Sequence, residues 1–197
     1  GEASGDLHGG NLVKALLRED PELKIRAWGG DRMRAAGADV VKHYSELAFM
    51  GFTQVLLNLR TVLRNIKTCK EDIAAFKPDG IILIDYPGFN LRIAEFAHER
   101  GIPVFYYISP QVWAWKAGRV KIIKRVVDRM FVILPFEKDW YAEHGMEVEF
   151  VGHPLLDAIP EEPTEHLPPP GEKPLVALLP GSRVQEISRM LPVMLST

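Results

Sequence analysis

The stretch Ile81 to Asn90, IILIDYPGFN, places a carboxylate where an apolar run stops. Four apolar residues in succession have the pattern of a strand covered on both faces, as in parallel sheets. Asp85 follows them directly, ahead of a turn built on Pro87 and Gly88. Ligands of parallel sheets sit beyond the carboxyl ends of the strands. A carboxylate at such a mouth is partly desolvated, which raises its basicity and suits it to take a proton from a hydroxyl. The same acid could cap the next helix or pair with a nearby base. Asn90 competes for the cap, which leaves Asp85 freer for chemistry.

Three further clusters could bind a substrate. In GEASGD, two glycines allow close backbone approach, while Glu2, Ser4 and Asp6 supply acceptors and Ser4 a donor, a mixture suited to sugar hydroxyls; Ser4 or Asp6 could equally be a helix N-cap. In PGSR, a Gly-Ser turn with Ser182 points backbone N–H groups and a helix dipole at an anion, and Arg183 adds a bidentate phosphate donor, unless it is simply solvated in a first helical turn. The run SPQVWAWKAGRVKIIKR combines Trp113 and Trp115 with Lys116, Arg119, Lys121, Lys124 and Arg125, which could stack on rings beside phosphates or anchor a strand end under a charged helix face. His153, in VGHPL, follows another strand end and reads as an acid, a ligand or a satisfied structural hydrogen bonder.

Stepping outward, the elements that must hold these residues alternate. A helix after GEASGD carries Leu7, Leu12, Val13, Leu16 and Leu17, strand Lys24–Trp28 precedes a Gly29-Gly30 turn, and a short helix covers Arg32–Ala36. A long helix is expected over Gln54–Phe76, with apolar residues at 55, 59, 62, 66, 69, 73 and 76 and Pro78 beyond its end. Strands GIILID, VFYYIS, RMFVIL and EVEFVG then alternate with helices Asn90–Arg100, Arg119–Val127 and Phe136–His144. Strand and helix in alternation with short turns imply βαβ units and a doubly wound parallel α/β sheet, Rossmann-like in class.

Residues Pro154 to Pro174 are rich in proline and glutamate and read as a semi-rigid linker. After it, LVALLPGSR starts a second strand, turn and helix. The expected domains are therefore residues 1–153, the linker 154–174 and the start of a second Rossmann-like domain at 175–197. A Gly-rich turn at the start with no strand before it, and a helical pattern cut at the end, read as a piece truncated at both ends.

Composition narrows the function classes. A net charge of −2 over 197 residues gives no global pull toward nucleic acid, so anion binding must come from local clusters. One cysteine, Cys69, excludes an internal disulfide and reads as a small buried hydrophobe. No His and carboxylate spacing suggests a metal site. No apolar run approaches the roughly 18 residues that span a bilayer. Leu56, Leu57 and Leu63 nevertheless lie outside or beside the long helix's core stripe, near Phe49 and Phe52 and interleaved with Arg60, Arg64 and Lys67. Apolar surplus beside cations suits a membrane-surface helix, or a broad core face.

Taken in order, GEASGD, ELAFMGFTQVL, IDYPGFNLR, YYISPQVWAWKAGR, ILPFEKDWY, FVGHPLLD and LLPGSR resemble the lipid-A-disaccharide synthases, the family-19 glycosyltransferases of Gram-negative lipid A assembly, over essentially the whole chain. The resemblance implies a GT-B arrangement of two Rossmann-like domains, with the acceptor on the N-terminal side and UDP mostly on the C-terminal side. It implies inverting transfer, without metal or other cofactor, from UDP-2,3-diacylglucosamine to the 6-hydroxyl of 2,3-diacylglucosamine 1-phosphate (lipid X), at the cytoplasmic face of the inner membrane. Asp85 would be the base and Arg183 would offset charge on departing UDP. Glu2, Ser4, Asp6, Asn90, His153 and Ser182 would line the cleft, and the Trp113–Arg119 segment would meet the acceptor or its phosphate. The Phe49 to Leu63 surface would guide acyl chains and rest on anionic lipid. Many members carry an acid where this chain has Gly88, so a mechanism needing two acids there loses support, while one resting on Asp85 does not.

Two other readings differ in class. Another GT-B enzyme of UDP-sugars, a UDP-N-acetylglucosamine epimerase or a lipid-II type transferase, would share the fold. A non-catalytic glycolipid-binding half would share the surface. The piece by itself is expected to be inactive.

Overall fold

The computed structural model describes residues 3–46, 59–115, 117–159, 176–181 and 184–196. The chain divides into two compact units, Gly1–Leu156 and Asp157–Thr197. Among the described residues of the first, the strands are β1 (Arg26–Gly29), β2 (Asp39–His43), β3 (Ile81–Ile84), β4 (Val104–Tyr107), β5 (Arg129–Val132) and β6 (Glu149–Phe150). The helices are α1 (Ala3–Glu19), α2 (Asp31–Ala35), α3 (Leu59–Phe76), α4 (Pro87–His98), α5 (Val112–Trp115), α6 (Val120–Val126) and α7 (Pro135–Glu143).

All strand pairings are parallel, as the alternation of elements requires. They form two sheets, β1-β2 and β3-β4-β5-β6, and among the described residues no ladder joins them. β2 is not anticipated from the sequence: its burial alternates only weakly along DVVKH, so the period-2 signal is faint. α4 starts at Pro87, three residues before the expected start, because proline is suited to the first helical position, where no N–H bond is lost.

The main core lies under the four-stranded sheet. Val104, Tyr106, Met130 and Val132 point into it from β4 and β5, and Ile93, Ala94 and Ala97 meet them from α4. Ile66 and Cys69 contribute from α3, so the cysteine is the buried hydrophobe its position suggested, with burial pushing its thiol up to about 12. A smaller cluster of Val13, Met33 and Ala38 holds α1 against α2 and β2. Gly10 permits that approach: a Cβ there would stand 3.1 Å from the Arg32 carbonyl carbon.

In the second unit, α8 (Val184–Ser196) forms as the helical pattern implies. Residues 176–179, the described part of the strand expected in LVALL, have no ladder partner among the described residues and form no strand. No described helix is long and apolar enough to cross a membrane.

Candidate active site

A pocket of about 310 Å³ opens at the carboxyl ends of β3, β4 and β5. Three successive strand-to-helix turns build it. The β3 turn contributes Asp85 and Pro87, the β4 turn contributes Ile108 to Val112, and the β5 turn contributes Ile133 and Leu134. Glu137 and Arg119 complete the wall. Asp85 is exposed and Arg119 partly buried, so an acid and a guanidinium line one recess.

The backbone on this rim is unusual. Asp85 and Tyr86 have φ of 45° and 47°, and Ile108 has φ of 62°. Non-glycine residues in the left-handed region cost about 1–3 kcal/mol each and persist only where the surroundings over-determine them. Here they are over-determined. The Asp85 carbonyl accepts bonds from the Tyr106 hydroxyl and the Asn90 side-chain amide, both at 2.6 Å, and that amide also donates to Ile84 O at 3.0 Å. The Asp85 N–H donates to Tyr107 O at 3.2 Å. Tyr106 is wholly buried, and burial, followed by the Asp85 charge, raises its hydroxyl well above the phenol range.

This geometry corrects two expectations. Asn90 lies inside α4 and neither caps it nor faces the pocket lining; its amide reaches back to the two carbonyls that end β3. The N-cap position is Tyr86, with no side-chain cap bond. Asp6 is only 5% exposed, and its carboxylate accepts the N–H groups of Gly30, Arg32 and Met33 at 2.7, 3.1 and 3.2 Å. It therefore caps α2, not its own helix, and both oxygens are occupied with backbone. Ser4, two residues earlier, is exposed in the first turn of α1.

A histidine with no motif around it in the sequence, His8, feels the charge of Asp85. His8 of α1 is held below its usual pKa by burial first and by His153 second, with the Asp85 charge opposing. Its Nδ1 is buried and has no hydrogen-bond partner among the described residues. His8, His153 and Asp85, from α1, the segment after β6 and the end of β3, thus share one electrostatic neighbourhood. The signal in sequence was spacing: His8 is four residues after Ser4, on the same side of a helix. His153 is partly buried and its Nδ1 accepts the Leu155 N–H at 3.2 Å, which puts its proton on Nε2 when neutral.

Other wall residues are structural. Glu137, 1% exposed, accepts the N–H groups of Leu134 and Ile133 at 2.9 and 3.2 Å and so ties down the start of α7. Ser109 is buried and bonds the Tyr141 hydroxyl at 2.7 Å. Trp113 packs edge-on against Phe136, with ring centroids 4.9 Å apart, and its buried Nε1 has no acceptor among the described residues. That is the anchoring alternative for this aromatic. Trp115 ends α5. Glu2, Ser182 and Arg183 lie outside the described residues, as do Phe49, Phe52, Leu56 and Leu57. Among the described residues no group of three or more His, Cys, Asp or Glu could hold a metal ion.

A second, open groove of about 330 Å³ runs between α3 and the end of α4, with Leu63, Lys67, Lys70, Phe96 and Arg100 on its walls. Leu63 is 51% exposed. The Arg100 guanidinium stacks 3.6 Å from the Phe96 ring centroid, and the Lys70 ammonium stands 5.2 Å from it.

A parallel sheet with a recess beyond the carboxyl ends of its strands defines a Rossmann-like α/β domain. A likeness of fold alone links it to the UDP-GlcNAc 2-epimerase from Neisseria meningitidis bound to UDP-GlcNAc, with a TM-score of 0.53 and 12% identity over 78% of this chain and 46% of that one. The sequence is more specific. A profile of the lipid-A-disaccharide synthetase family matches residues 1–197, and the chain belongs to that family. Lipid-A-disaccharide synthase of Syntrophus aciditrophicus is 48% identical over 99% of this chain and 52% of its own length. That of Geobacter metallireducens is 49% identical over 100% and 53%, and lipid-A-disaccharide synthase 1 of Legionella pneumophila strain Paris 43% over the same shares. The chain spans about half the length of the curated relatives it matches.

Proposed function

We infer that the whole protein is an inverting glycosyltransferase that transfers 2,3-diacylglucosamine from its UDP derivative to the 6-hydroxyl of 2,3-diacylglucosamine 1-phosphate. The observation that carries the reading is Asp85 and Arg119 lining one recess beyond the carboxyl ends of parallel strands, in a chain of this family. Asp85 removes the proton of the acceptor hydroxyl as its oxygen attacks the anomeric carbon. The bond from that carbon to the β-phosphate oxygen breaks, UDP leaves with the electron pair, and the new linkage is β-1,6. The exposure of Asp85 supports this role, since a general base must reach a hydroxyl of a bound substrate. Arg119 meets the acceptor or its 1-phosphate as a charged, bidentate donor. Arg183 offsets the charge that develops on UDP, and Ser182 lines the cleft beside it.

Both substrates carry acyl chains, so the protein works at a lipid surface on the cytoplasmic face of the inner membrane. Exposed Leu63, beside exposed Arg60, Arg64 and Lys67 on α3, supports docking on anionic lipid. The test is the full-length protein supplied with UDP-2,3-diacylglucosamine and radiolabelled lipid X. Formation of the disaccharide 1-phosphate with equimolar UDP is expected. UDP release without disaccharide, or conversion of UDP-N-acetylglucosamine to its epimer, would overturn the assignment.

A further inference from the structure

We propose that Tyr106 and Asn90 are positioning residues for Asp85, a two-donor clamp on its main-chain carbonyl that aims its carboxylate into the recess. The inference rests on the proposed role of Asp85 as base. The direction of a side chain is set first by φ and ψ of its own residue, because these fix the Cα–Cβ bond. Asp85 holds a left-handed φ of 45°, followed by a second left-handed residue, Tyr86, and neither is glycine. A free chain of these residues would relax to right-handed or extended backbone and swing the carboxylate elsewhere.

What opposes that relaxation is specific. The Tyr106 hydroxyl and the Asn90 amide converge on one oxygen, Asp85 O, each at 2.6 Å. They come from different elements, β4 and α4, so the carbonyl is fixed against both the neighbouring strand and the following helix. The Tyr106 ring is wholly buried and cannot follow a moving turn without opening the core. Burial also keeps its hydroxyl protonated, and therefore a donor, throughout the working pH range. A buried tyrosine needing only some acceptor would be satisfied by any carbonyl. This one is matched to the residue that carries the base, at a rim where Ile108 is likewise left-handed.

The test uses the full-length enzyme and four variants. Tyr106→Phe deletes the donor and keeps the ring. Asn90→Leu deletes the other donor at nearly constant shape, and serves if Tyr106→Phe does not fold. The clamp predicts kcat lowered about tenfold or more in either folded variant, with KM for both substrates within about twofold, because the substrate contacts remain and only the aim of the base is lost. Combining Tyr106→Phe with Asp85→Asn should lower kcat no further than Asp85→Asn alone, as expected when one residue acts through the other. A wild-type kcat for folded Tyr106→Phe beside an impaired Asp85→Asn overturns the clamp and spares the base. Equal loss from Tyr106→Phe in both backgrounds also overturns it, since the tyrosine would then act independently of Asp85. A wild-type kcat for Asp85→Asn overturns the base assignment and the clamp together.

Discussion

Replacing Asp6 by alanine separates a structural carboxylate from a substrate-binding one. The side chain accepts three backbone N–H groups from the β1 to α2 turn, those of Gly30, Arg32 and Met33. Removing it deletes an N-cap, worth about 1–2 kcal/mol. It also leaves buried amides at Gly30 and Met33 without an acceptor, at about 1–3 kcal/mol each where water cannot enter. The new void lets some water in, so the combined loss should be about 3 kcal/mol. For a unit the size of Gly1–Leu156, roughly 2–4 °C per kcal/mol gives a drop in its thermal midpoint of about 6–12 °C. Calorimetry of the full-length protein reads that drop. Hydrogen exchange should speed up at the amides of residues 30, 32 and 33 before it does elsewhere. Activity measured below the transition should keep its KM. A midpoint within about 1 °C of wild type together with a raised KM would refute the reasoning and return Asp6 to the substrate site.

The other expectations concern the histidine and the lipid face. His8 should titrate below its usual value; Asp85→Asn should lower it further, because an opposing charge is lost, and His153→Gln should raise it, both read from imidazole proton shifts against pH. Because the fold disfavours the protonated ring, this contribution to stability is intact above the unfolded-state value of about 6.5 and declines as pH falls through and below it. In His8→Gln the loss of stability over that window should be shallower; an equally steep loss would show that His8 is not its source. Leu63→Asp should reduce sedimentation of the full-length protein with anionic vesicles several-fold, most visibly at low salt. Unchanged sedimentation would remove Leu63 from the docking surface.

Sequence patterns reached as far as their periods carry. The run IILI, the helical stripe through Val62, Ile66, Cys69 and Ile73, and the Pro-initiated turns each report a local preference, so the parallel α/β order and the position of Asp85 at a strand end were legible. The role of Asp6 was not, because its partners are 24 to 27 residues away and capping in space leaves no trace in local spacing. Tyr106 reads in sequence as one more buried residue of VFYY, and only the turn 21 residues back shows which carbonyl its hydroxyl meets. Asn90 suggests a cap because asparagine is common near helix starts, whereas Pro87 begins α4 three residues earlier. β2 escaped because a short, half-exposed strand alternates too weakly to stand out.

The measurement that bears most directly on the central claim is kcat of full-length Asp85→Asn with both acylated substrates at saturating concentration. Asparagine keeps the size and the hydrogen-bonding backbone of the turn but cannot accept the acceptor's proton. A loss of at least about 10²-fold, with UDP-sugar binding retained, is the result expected of a missing general base. A turnover close to that of the wild type would contradict it.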